Sequence, residues 1–392
     1  MKATAAKLLE FLKKSPHLII PIYQRAYSWT ERECMQLWED IMRTGKNKTI
    51  SAHFVGSIVY IEEGLYNVSS QSPLLVIDGQ QRLTTVTLIL EALARHIGKT
   101  EPVDGFSAIK IRHYYLQNPL ETGNRKYKLL LSQTDDDTLK ALIDNHTNPK
   151  NISIRIAENF KLFQKLIADT EKDINSLCDG LAKLIIVDIS LSRDQDNPQL
   201  IFESLNSTGK ELSQADLIRN YILMGLDHEL QKKLYELYWR PMEVEFGQES
   251  YANQFDSFMR HYLIVKTGVI PNISKVYEEF KLFSRSKEIA KKGIEALVQD
   301  ISRFSIYYCN MALNKETDKK LKVIFHDIRE LKVDVAYPLL LVLYNDYAQN
   351  ILSKSDFLTS VRLIEAYVFR RSICSIPTNS LNKTFATFSK VI

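Results

Sequence analysis

Leu74-Leu75-Val76-Ile77-Asp78-Gly79-Gln80-Gln81-Arg82-Leu83-Thr84-Thr85 reads as a strand, a tight turn and a helix in immediate succession. Residues 74 to 77 are wholly apolar, as a strand covered on both faces requires. Leu83, Val86, Leu90, Leu93 and Ile97 then recur at three- and four-residue steps, which predicts an amphipathic helix with one buried stripe. The first turn of a helix leaves amides without intrahelical acceptors and carries the positive end of the dipole, so the junction is a natural anion site. Gly79 permits close approach. Arg82 falls in the same turn, with a guanidinium fork matched to phosphate oxygens. Asp78 is the nearest carboxylate, suited to hold a magnesium ion or to orient an attacking water, while Gln80 and Gln81 can fix ligand or water. The bland alternative is that Asp78 caps the helix, Gly79 makes the turn and Arg82 is solvated.

Outward from this junction, short strand-like runs appear at Leu18 to Ile22, Phe54 to Ile61 and Leu184 to Ile189. The opening MKATAAKLLEFLKK spaces apolar and basic residues helically and lacks the apolar stretch of a signal peptide. Residues from about 100 to 180 are polar, include the acidic run Asp135-Asp136-Asp137, and show helical patterns near 107 to 117 and 153 to 169, the signature of a helical insertion. Asn197-Pro198 predicts a turn before a helix-like run through Leu200, Ile201 and Leu205. Ser213 and Asp216 have capping-box spacing, with Leu212 and Leu217 as a hydrophobic staple, so a helix starts there. From 226 onward the pattern is helical throughout, around 228 to 245, 251 to 267, 293 to 312, 336 to 349 and 354 to 371, with no strand. The predicted class is therefore α+β: a small mixed-sheet domain over 1–225 carrying the insertion, then an all-α domain over 226–392.

Composition excludes some settings. With 45% hydrophobic and 25% charged residues the chain is globular, and a formal charge of +4 is too small to indicate nucleic acid by itself. Cys34, Cys178, Cys309 and Cys374 lie far apart without a CxxC pair, so neither zinc nor a disulfide framework is suggested and they read as reduced core thiols. No apolar run approaches the roughly 18 residues of a membrane span, and a cytoplasmic setting is expected.

Two further clusters stand out. In Pro21-Ile22-Tyr23-Gln24-Arg25-Ala26-Tyr27-Ser28-Trp29 an apolar strand meets aromatics flanking a cation, which suits a base or sugar; the alternative is a core corner in which Tyr27 and Trp29 pack and Arg25 snorkels. Phe202-Glu203-Ser204-Leu205-Asn206-Ser207-Thr208-Gly209 is a polar turn that offers amides and hydroxyls, or is ordinary turn chemistry.

Together, IPIYQRAYSW at 20–29, FVGSIV at 54–59, VIDGQQRLTT at 76–85 and IFESLNSTGKELSQADLIRNY at 201–221 resemble the N-terminal domain of GmrSD-type restriction endonucleases. That domain is similar to the ParB and sulfiredoxin superfamily and occurs in the phosphorothioate-sensing SspE proteins of phage defence. The resemblance implies binding and hydrolysis of a nucleoside triphosphate with magnesium. It assigns catalytic roles to Asp78, Gln80, Gln81 and Arg82, metal binding to Asp78, and nucleotide contacts to Tyr23, Gln24, Arg25, Gly56, Gly79, Thr84, Asn206, Thr208 and Gly209. Its implied partners are the triphosphate, modified DNA and a separate HNH nuclease subunit, with homo-oligomerisation left open. Relatives continue into an HNH nuclease domain. Here none of the eight histidines lies beyond His326 and no His-Asn-His constellation is visible, so DNA cleavage is not expected from this chain alone. The rival reading is a non-catalytic, nucleotide-gated DNA-binding adaptor, or a docking subunit using Arg362, Arg370, Arg371 and Lys383 interleaved with Tyr367, Phe369 and Phe385. Arg25, Asp78, Arg82 and Asn206 are expected to converge on one cleft.

Overall fold

Strand β4 (Leu74–Asp78) runs inside a mixed sheet, between β3 (His53–Glu62), to which it is antiparallel, and β2 (Leu18–Ile19), to which it is parallel. β6 (Leu184–Leu191) lies parallel to β3, β1 (Lys2–Lys7) closes one edge antiparallel to β6, and β5 (Leu129–Leu130) closes the other beside β2. The computed structural model describes residues 1–62, 72–170, 173–192, 196, 198–205, 212–376 and 380–391. These divide into two units, Met1–Gly209 and Lys210–Ile392. An α+β unit with a mixed sheet followed by helices is the class expected from sequence.

The first unit departs from the expected elements in three places. Lys2–Lys7 is an exposed edge strand and only α1 (Leu8–Lys14) is helical, because pairing with β6 outweighs a weak local preference. β2 stops at Ile19, since Pro21 lacks the N–H a ladder needs. The insertion is not purely helical: it supplies β5, whose Leu129 and Leu130 lie opposite Leu18 and Ile19.

Helix α3 (Gln80–Ile97) follows β4 directly, and its expected stripe of Leu83, Val86, Leu90, Leu93 and Ile97 is buried. Its other faces are buried as well, because α4 (Ala108–Ile111), the π turn at Arg112–Leu116 and α6 (Ile154–Asp169) from the insertion pack over them. Beyond the first turn, the polar side chains there are satisfied internally. Thr84, Thr85 and Thr87 donate to the carbonyls of Gln80, Gln81 and Leu83, and Glu91 accepts from Arg95 and Arg112. Helices α2 (Glu31–Lys46) and α7 (Ile174–Ala182) pack together, and Gly45 and Gly180 admit the partner backbone where a Cβ would clash. α5 (Gln133–Ile143) opens the insertion's second half, and α8 (Pro198–Leu205) follows β6.

In the second unit α9 (Gln214–Leu223) begins where the sequence predicts, with Ser213 Oγ accepting from Asp216 N at 3.1 Å. Asp256 takes the amides of Gln214 and Ala215 at 3.0 and 2.7 Å, so residues 214–223 pack with the helices that follow, ahead of the division read at 225. Those helices are α10 (His228–Leu234), α11 (Arg240–Phe246), α12 (Gln248–Thr267), α13 (Val276–Ser284), α14 (Lys287–Lys292), α15 (Ile294–Ala312), α16 (Lys319–Glu330), α17 (Tyr337–Ala348), α18 (Lys354–Ile373) and α19 (Leu381–Val391), and no strand occurs among the described residues here. Their core is aromatic, with Trp239, Phe246, Phe255, Phe258 and Phe325 buried. The basic and aromatic cluster near the C-terminus is split: Arg362 pairs with Asp327 and Glu365, Phe385 is core, and Phe369 is exposed. Cys374 is exposed too, unlike the three other thiols.

Candidate functional site

Gly79 makes the change from strand to helix with φ of 98°, a backbone state that costs glycine little. A Cβ there would stand 3.0 Å from both Ile58 Cγ1 and the Ser57 carbonyl oxygen, a tight contact that adds to the cost of the positive φ for any other residue. The first intrahelical bond runs from Leu83 N to Gly79 O at 3.0 Å. The amides of Gln80, Gln81 and Arg82 therefore precede the helical ladder and form the donor-rich end of an 18-residue helix.

Asp78 does not cap α3. Its Oδ2 accepts from Ser57 Oγ at 3.3 Å and from Arg82 Nη2 at 3.2 Å, and Arg82 Nη2 also donates to the Ser57 carbonyl. A β-bulge between Phe54 and Ser57, with Gly56 at φ of 109°, brings that carbonyl into reach. Arg82 is thus pinned against β3, yet its Nε is buried without a hydrogen-bond partner. Among the described residues no cluster of three metal-ligating side chains exists. Asp78 Oδ1 is engaged by no described residue, which fits a magnesium ion held by one carboxylate together with phosphate oxygens and waters.

The segment 21–29 wraps the other side of the same turn. Gln24 Nε2 donates to the Ile77 carbonyl at 2.9 Å, and Tyr23 is buried. Gln81 is committed to this segment: its Oε1 accepts from Ser28 N at 2.8 Å and Trp29 N at 3.2 Å, and its Nε2 donates to Ala26 O at 3.3 Å. Tyr27 joins its hydroxyl to Thr85 Oγ1 at 2.7 Å and its amide to Asp135 Oδ2 at 2.6 Å, while Asn159 donates to the Trp29 carbonyl at 2.8 Å. Burial holds the Tyr27 phenol well above its ordinary pKa, so it remains a neutral hydroxyl. Tyr27 accordingly packs in a core corner, as the bland reading has it. Arg25 is different. No hydrogen bond or ion pair reaches it among the described residues, and its Nε is enclosed.

Arg25 lines a small recess with Gln80, Gln81, Thr84, Ser132 and Asp135, walled by Ile20, Tyr27 and Leu131. Gln80 and Thr84 share one face of α3, whereas Arg82 projects from another toward β3. Arg25 and Arg82 therefore flank the start of α3 from two sides. Asn206, Thr208 and Gly209 lie outside the described residues. Sequence reading noted Asp135 only as part of an acidic run and did not single out Ser132; the local signal was a serine ahead of a helix whose first turn carries Asp135 and Asp136.

Residues 6–223 match the GmrSD restriction endonuclease, N-terminal domain family, more than half of the chain. The chain belongs to that family. The matched span contains strands β2 to β6, α3, the insertion and α9. The GmrSD family is one of restriction-system modules, which act in phage defence on DNA. An uncharacterized protein of Methanocaldococcus jannaschii is similar at 23% identity over 236 residues, covering 54% of this chain and 40% of that protein. The chain thus spans well under half the length of this curated relative. Among the described residues no helix is long and apolar enough to cross a membrane.

Proposed function

We propose that this GmrSD-family chain binds a nucleoside triphosphate by its phosphates at the start of α3 and hydrolyses it, as the nucleotide-dependent module of a restriction system that responds to modified DNA. The observation that supports this most is the pair of arginines, Arg25 and Arg82, each with a buried unpartnered Nε, on two sides of a helix start whose first three amides lie outside the ladder. Asp78 would hold magnesium through Oδ1, and the ion would neutralise charge on the phosphates. Arg82 can trade its contact with the Ser57 carbonyl for a phosphate oxygen. The test is calorimetry of each common triphosphate with magnesium, followed by phosphate release with and without DNA. No heat of association for a folded sample ends this reading.

A second reading is favoured by the same contacts. Because Arg82 ties α3 to the bulge of β3, a nucleotide that recruits it would loosen that strand, as a switch without turnover requires. Binding without phosphate release, together with an altered DNA affinity that survives Asp78→Ala, selects the switch.

A further inference from the structure

The sheet has two unlike faces. Ile58, Tyr60, Leu184 and Ile186 belong to the core shared with α1, α2 and α3, and Ala6 packs against it. Strand alternation turns their neighbours the other way. On that second face the register sets Phe54 beside Ile185, Ser57 and Ala5 on either side of Val187, and Val59 and Ala3 on either side of Ile189. The bulge between Phe54 and Ser57 adds one residue to β3, which is why side chains three apart stand on the same side. His53 confirms the assignment, since its ring lies 3.5 Å from Asp40 of α2 on the helix side. Burial falls off along the second face. Val59 is fully buried, Ile185, Val187 and Ile189 are half-buried, Ala3 and Ala5 are exposed, and the Phe54 ring is 56% exposed. A single exposed apolar residue needs no explanation, but a contiguous floor of them beside a polar cluster marks a place of contact.

We infer that this floor seats the nucleobase, which lies over Ile185 and Val187 and stacks against the ring of Phe54. The inference rests on the proposed function and adds to it the part of the ligand that the phosphate groups do not explain. Ser57 joins the two regions. Its hydroxyl donates to Asp78 Oδ2 at 3.3 Å and its carbonyl accepts from Arg82, while its Val187 neighbour begins the apolar floor. Phe54 lies roughly 7–10 Å from Ser57 along β3, a gap that a ribose spans between a phosphate and its base. Apart from Lys7 and Ser57 the side chains in these rows are apolar. The floor therefore holds a base by its flat face and buried area and not by reading its edge, so a purine binds more tightly than a pyrimidine.

Calorimetry of the full chain with magnesium adenosine triphosphate and with magnesium tripolyphosphate, which has the phosphates but no base, tests it in wild type, Phe54→Ala and Phe54→Trp. The Phe54 ring is more than half exposed, so both variants should fold with an unchanged melting temperature. Adenosine triphosphate should bind Phe54→Ala at least about fivefold more weakly, Phe54→Trp should keep the wild-type affinity, and tripolyphosphate should bind all three alike. The fluorescence of 2-aminopurine riboside triphosphate should be quenched by stacking in wild type and in Phe54→Trp, and not in Phe54→Ala. Equal losses for both compounds in Phe54→Ala, or no loss for either, overturn the inference and leave the phosphate reading standing. So does self-association of the wild type that Phe54→Ala abolishes without changing nucleotide affinity, which gives this face to a second copy of the chain. Failure of both compounds to bind removes the proposed function, and the base seat with it.

Discussion

Gly56 and Arg82 compete for one volume: a Cβ at position 56 would stand 2.5 Å from Arg82 Nη1. Glycine at the bulge is what lets the guanidinium lie on β3 and reach both the Ser57 carbonyl and Asp78. Position 56 also has φ of 109°, which a side chain resists. Gly56→Ala should therefore destabilise the fold by about 1–3 kcal/mol in urea melts and weaken triphosphate binding in calorimetry. An unchanged affinity would show that Arg82 is not a phosphate ligand.

Neighbouring glutamines should behave oppositely. Gln81 satisfies the amides of Ser28 and Trp29, so Gln81→Leu strands two donors and should cost about 2–4 kcal/mol by denaturant unfolding. The Gln80 side chain makes no hydrogen bond to a described residue, so Gln80→Leu should shift stability by less than about 1 kcal/mol while weakening ligand binding. Equal losses at both positions would contradict this division.

Asp78 is the test of magnesium chemistry. Its pair with Arg82 is partly exposed, with side-chain exposures of 32% and 25%, so Asp78→Asn should cost no more than about 1 kcal/mol of stability. Magnesium-dependent phosphate release should fall by at least about tenfold, read against binding measured without metal.

Acid should loosen the helical unit through His261. Burial among Tyr308 and Tyr337, reinforced by Arg260, holds its pKa down to about 3, while the unfolded chain titrates near 6.5. Between these values the unfolded chain binds more protons than the native one, so stability is full above pH 6.5 and declines as pH falls toward 3. By pH 5 the loss amounts to roughly 2 kcal/mol. His261→Phe should remove that part of the difference between urea melts at pH 7 and pH 5, and a variant with the same pH dependence as wild type would rule His261 out as its source.

Much of this architecture was legible because its signals are local. The apolar run 74–77, Gly79 and the three- and four-residue steps after it specify a strand, a turn and a helix within 24 residues, and Ser213 announces α9 by its own cap. Edge pairing was not legible: Lys2–Lys7 has no strand signal of its own and becomes β1 only because β6 lies beside it. Nor does a helical period reveal that a second layer will cover the polar face of α3, so the single stripe expected there proved to be burial on nearly every side.

The start of α3, with its amides ahead of the ladder and its arginine, was determined by sequence, because a helix terminus is set by the few residues around it. Which glutamine there is occupied and which stands open was decided only by tertiary structure. Gln81 meets a loop more than 50 residues earlier, and that loop is in turn held by Asp135, 108 residues after Tyr27. Contacts across such separations depend on how whole elements pack, and no local pattern encodes them.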